Sequence, residues 1–136
     1  MALIRFNVDK LIRDKIPNSL RSKGVIVHER VAESEEYTEL LKKKLLEEAQ
    51  ESIDAVDHKE LAEELGDVIE VIHALAKAQN IDLATIEAVR LAKKERNGGF
   101  EDKVYCSYVD VDEANPQAAY YASRPVQYPK IDRPDK

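Results

Sequence analysis

The sequence is poor in the residues that most often announce a compartment or a cofactor. It holds one cysteine, Cys106, so no internal disulfide can form. No apolar N-terminal stretch precedes a cleavage site, and no apolar run approaches the roughly 18 residues that a membrane-spanning helix needs. These absences predict a soluble, cytoplasmic protein with no membrane partner. Positive charge is also in deficit. With 21 Lys and Arg against 27 Asp and Glu, the net charge of -6 argues against general affinity for a nucleic acid polymer, whose phosphates reward a basic surface. The three histidines, His28, His58 and His73, are not paired with the acidic motifs of the chain. A zinc site, or the Glu-x-x-His pairs of a di-iron bundle, therefore lacks its imidazoles.

What remains suits one small core, since 136 residues with 43% hydrophobic content need no cross-link to stand. Pro17 fits the first turn of a short helix that reaches Lys23 and stops at Gly24. Ser34 is a candidate N-cap for a helix over about 35–56, and Asp57, three residues ahead of Glu60, starts a second over about 58–79. Asp82 caps a third over 83–96, which Asn97-Gly98-Gly99 ends. Val25 to Val31 and Phe100 to Val111 read as extended segments able to pair. The predicted class is all-α, an antiparallel helical hairpin plus further helices, with a minor short β-hairpin. Residues 1–111 form the expected domain. Residues 112–136, rich in Tyr and Pro, form a tail that is either disordered or docked through its tyrosines.

The strongest signal is a set of four acids around the predicted turn. Glu48 and Glu51 precede it, and Glu64 and Asp67 follow it. Counted from Asp57, Glu51 and Glu64 lie six and seven residues away, and Glu48 and Asp67 nine and ten. At about 1.5 Å of rise per residue, each pair stands at one height on antiparallel helices, and the i, i+3 spacing puts both acids of a helix on one face. Glu48 also falls among Leu41, Leu45 and Ser52, where an ionised carboxylate is costly without compensation. Oxygen ligands without imidazole or thiolate suit Mg²⁺, with Mn²⁺ as the alternative ion. Such a site favours phosphate chemistry, which further needs cations held apart from the acids. Lys10, Arg13 and Lys15 form one candidate cluster, and Lys93, Lys94 and Arg96 another. The second cluster also complements a helix C-terminus.

Three motifs together resemble a known family. Glu47-Glu48-Ala49-Gln50-Glu51 followed by Glu64-Leu65-Gly66-Asp67 is similar to the signature of the all-α, MazG-type nucleoside triphosphate pyrophosphohydrolases. Lys10 to Pro17 and Lys94 to Phe100 resemble the ends of its small single-domain, phosphoribosyl-ATP pyrophosphohydrolase-like branch. The resemblance spans roughly residues 8 to 105, and the extension from about Ser107 departs from the branch. It implies Mg²⁺-dependent hydrolysis of a nucleoside triphosphate or related nucleotide between the α and β phosphates. Residue by residue, it implies Glu48, Glu51, Glu64 and Asp67 as metal ligands. Glu47 and Glu48 are then the catalytic acids, Glu47 orienting the cluster or the attacking water, while Lys10, Arg13, Lys15, Lys94 and Arg96 bind substrate. It also implies a homodimer or homotetramer that completes the bundle. Two other readings stand beside it: phosphoribosyl-ATP as substrate, and a non-catalytic helical module with a structural metal site. No aromatic pair marks a nucleobase clamp, and Tyr37 reads as core.

Overall fold

Helix formation follows the start and stop signals of the chain. In the computed structural model, which describes residues 2–133, α1 spans Ile16–Ser22 with Pro17 in its first turn. Proline costs nothing there, because the missing N–H would have had no intrahelical partner. Gly24 at φ 82 turns the chain out of the helix. Next, α2 spans Ser34–Asp54 and α3 spans His58–Ala78. Ser34 is the first helical residue of α2 rather than its cap; Glu33 holds the cap position and its side chain makes no capping bond. Glu35 and Glu36 complement the helix dipole in that first turn. At α3 the expected cap forms: the Asp57 carboxylate accepts the Glu60 N–H at 2.8 Å, and Glu60 Oε2 accepts the Val56 N–H at 3.4 Å. Asn80, at φ 56, follows α3, and α4 spans Leu83–Asn97, with Gly98 at φ 84 directly after it.

The three-residue link from Ala55 to Asp57 folds α3 back along α2, and these two helices make the one extensive helix–helix contact among the described residues. A hydrogen bond of 2.9 Å from Gln79 Nε2 to Thr38 Oγ1 joins the end of α3 to the start of α2. The apolar core is thin. Leu41 of α2 and Val71 and Ala76 of α3 are buried, and Pro17 is buried in α1. Leu61, Leu65 and Ile69, which belong to the apolar stripe of α3, remain 37%, 48% and 55% exposed.

The minor β-hairpin expected from the sequence is not seen, and the described residues contain no strand. Alternating β-branched residues make a strand only where backbone donors and acceptors find a ladder. Residues 25–33 are instead held by side chains. Arg21 bonds Glu29 at 2.5 Å and the Val27 carbonyl at 3.4 Å, and Arg30 forks onto Glu36 at 2.5 and 2.7 Å. No helix among the described residues is long and apolar enough to cross a membrane.

The chain divides into two compact units, one ending at Asn97 and one beginning at Gly98. The second contains α5, Pro116–Ala122, a helix not foreseen from the sequence. The Asn115 side chain caps it by accepting the Gln117 N–H at 2.9 Å. Tyr121 meets Tyr120 and Tyr128 edge to face at 5.3 and 5.0 Å, and Arg124 lies 4.1 Å from the Tyr120 ring centre. The tyrosines thus pack on one another, a local arrangement that needs few apolar residues because each ring brings a large contact area.

Candidate metal centre

The α2–α3 hairpin brings acidic side chains from both helices to one point. Carboxylate oxygens of Glu48, Glu51 and Glu64 all lie within 4.8 Å of one another. Glu48 is 6% exposed, as its place in the apolar stripe requires, and it shares the buried side of the hairpin with Leu41 and Val71. Glu48 Oε2 and Glu64 Oε2 are buried and accept no hydrogen bond from the described residues. Buried acceptors without donors are costly, and a cation between them removes that cost. The donor set is entirely carboxylate oxygen, which fits a hard divalent ion and not a soft one.

Asp67 stands differently. Its Oδ1 accepts Arg13 Nη2 at 2.6 Å, so the arginine that precedes α1 reaches α3. Glu47 carries two ammonium groups, Lys10 Nζ at 2.8 Å on Oε1 and Lys44 Nζ at 3.2 Å on Oε2. Lys44 also lies 3.5 Å from Glu48 Oε1. The sequence reading passed over Lys44, because a lysine three and four residues ahead of acids looks like an ordinary helix-surface pair. Its mostly buried side chain, 17% exposed, sets it apart.

The electrostatics divide along the same line. Burial pushes the Glu47 carboxyl up, but Lys10 and Lys44 outweigh it and hold the group below the usual carboxylate range. The hydrogen bond to Glu47 raises the Lys10 ammonium. Glu48 is raised, first by burial and then by Glu51, against the opposing pull of Lys44. Glu64 is pushed up to about 7, first through its contact with Glu51 and then through desolvation, with Asp67 and Glu48 adding repulsion. Crowded carboxylates without enough counter-charge hold protons more tightly, so Glu48 and Glu64 identify the electron-rich centre of the site.

The remaining cations named from the sequence are placed less closely. Lys15 occupies the N-cap position of α1, and Lys94 and Arg96 lie in the last turn of α4, where they complement its dipole.

The fold is all-α, and its helical hairpin presents an all-carboxylate cluster that could hold a hard divalent ion. Comparison of sequences narrows this. Residues 35–97, which contain all of α2, α3 and α4 except Ser34, match the model of the MazG nucleotide pyrophosphohydrolase domain. That helical segment therefore belongs to the MazG-type superfamily. No match was found among curated proteins or among solved structures.

Proposed function

We propose that this protein is a cytoplasmic, Mg²⁺-dependent nucleotide pyrophosphohydrolase, with Mn²⁺ as an alternative ion. It adds water across the bond between the α and β phosphates of a nucleoside triphosphate or related nucleotide, and it releases a monophosphate and pyrophosphate. The observation that carries this reading is the convergence of Glu48, Glu51 and Glu64 oxygens within 4.8 Å, with buried oxygens of Glu48 and Glu64 lacking any donor among the described residues.

In this reading Glu48, Glu51, Glu64 and Asp67 hold the ion. A divalent ion there neutralises phosphate charge and acidifies water in its coordination shell. Glu47, kept ionised by Lys10 and Lys44, orients the cluster or the attacking water through an oxygen fixed on α2. The cations Lys10, Arg13, Lys15, Lys94 and Arg96 offset charge that builds on the departing pyrophosphate. Residues 1–111 form the catalytic domain, and residues 112–136 form an appended tail. The chain assembles as a homodimer or homotetramer, which would cover Leu61, Leu65 and Ile69 and thicken a core too small to bury them alone.

Pyrophosphate release from standard and modified nucleoside triphosphates and from phosphoribosyl-ATP, measured with Mg²⁺, Mn²⁺ or EDTA, tests the activity and ranks substrates. The expected result is metal-dependent release that Glu51→Gln and Asp67→Asn each reduce at least about a hundredfold while the helical circular dichroism is retained. Release that persists in EDTA, or full turnover in both variants, refutes the metal-dependent reading.

A further inference from the structure

Two cations reach the acidic centre from the segment before α1, and they end on different kinds of acid. Lys10 bonds Glu47, which lies outside the cluster formed by Glu48, Glu51 and Glu64. Arg13 bonds Asp67, the fourth acid of the hairpin. With all five acids ionised, Lys10, Arg13 and Lys44 leave two negative charges uncompensated, which equals the charge of one divalent ion. If Asp67 is to serve that ion fully, its bond with Arg13 is in the way. Arg13 occupies Oδ1 of Asp67; an oxygen shared with a divalent ion is a poorer acceptor for a guanidinium, and the two positive charges repel at short range.

The Arg13–Asp67 bond is also suited to break. The Arg13 side chain is 58% exposed; its backbone carbonyl accepts the Ile16 N–H at 3.0 Å, so the guanidinium can swing away while the backbone stays at the start of α1. An ion pair that open to water holds weakly. The Lys10–Glu47 bond at 2.8 Å does not involve Asp67, so it gives the segment a second tie to the hairpin. Building on the metal-dependent reading above, we propose that Arg13 and the divalent ion compete for Asp67, so that loading the site detaches Arg13 from α3 and frees its guanidinium for an anionic substrate. Arg13 is then a positioning residue twice over: it keeps Asp67 neutralised before loading and delivers a phosphate-binding fork after it.

Affinity for Mn²⁺ in the absence of nucleotide, read from the free-ion electron paramagnetic resonance signal, tests this on the full chain. Arg13→Gln should tighten Mn²⁺ binding about three- to tenfold, because the competitor is gone. Lys10→Gln removes an equal charge from the same segment without freeing Asp67 and should change affinity less than about twofold. An Arg13→Gln protein that binds Mn²⁺ equally well or more weakly overturns the proposal, since Arg13 would then support the ligand instead of opposing the ion. Equal tightening in both variants overturns it as well, by reducing the effect to general field. If the unmodified chain itself binds no Mn²⁺, the metal reading fails, and with it the ground for this proposal, an outcome distinct from the variant results above.

Discussion

Replacing Glu48 by Gln should stabilise the metal-free protein and deprive it of the stabilisation that metal confers. The Glu48 carboxylate is 6% exposed and bears one buried oxygen with no donor. Its oxygens lie within 4.8 Å of Glu51 and 3.5 Å from Lys44. At an effective dielectric of about 20, the repulsion and the attraction are each roughly 3 to 5 kcal/mol and largely cancel. Burial and the fields of Glu64 and Asp67 remain, all against the charged form, in keeping with the raised carboxyl of Glu48. Removing the charge while keeping the shape should therefore recover about 1 to 2 kcal/mol, after allowance for the amide's own burial. For a chain of this length that is about 3 to 8 °C in Tm. The assay is thermal melting followed by helical circular dichroism at pH 7.5, in EDTA and in excess Mg²⁺ or Mn²⁺. In EDTA the Glu48→Gln protein should melt above the unmodified one. Ligand at about a hundred times its Kd adds roughly 2.7 kcal/mol to a protein that binds it, so the order should reverse with metal. A Glu48→Gln protein that melts lower in EDTA, or that gains as much from metal, refutes the reasoning.

The metal-free protein should also lose stability as pH rises from about 5 to 8. The Glu64 carboxyl is raised in the folded state from 4.5 to about 7, so its contribution is fully present below pH 4.5 and is lost as pH climbs through about 7. The depressed carboxyls Glu36, Glu47 and Glu87 complete their titration below this window and do not mask it. A Tm in EDTA that is higher at pH 8 than at pH 5.5 contradicts this account. Leu41→Ala should cost about 2 to 4 kcal/mol in denaturant unfolding, because Leu41 is 3% exposed in a core of few apolar side chains. A loss below about 1 kcal/mol would show that the hairpin core lies elsewhere.

Much of this was determined by local sequence, because the physics involved is local. Pro17, Asp57, Gly24 and Gly98 mark helix starts and stops through capping geometry and backbone freedom, and the helices end where those residues place them. The i, i+3 spacing and the three-residue turn sufficed to bring Glu48, Glu51 and Glu64 to one point, since helix rise fixes their heights. The apolar neighbours of Glu48 foretold its burial. The extended segments around Val25 and Phe100 were misread, since a strand depends on a partner that local pattern cannot supply, and side-chain bonds from Arg21 and Arg30 hold the first of them instead. The helix α5 was missed because a Tyr- and Pro-rich composition conceals an Asn cap one residue ahead of a proline.

The sequence alone could name the acids and the cations. Only the tertiary structure decided which cation meets which acid. Lys10 and Arg13 lie 37 and 54 residues from Glu47 and Asp67, and pairings over such distances are set by how the segment before α1 packs on the hairpin, not by periodicity. That packing ties Asp67 to Arg13, apart from the cluster of Glu48, Glu51 and Glu64, and leaves Glu48 and Glu64 each with a buried oxygen that no donor among the described residues reaches.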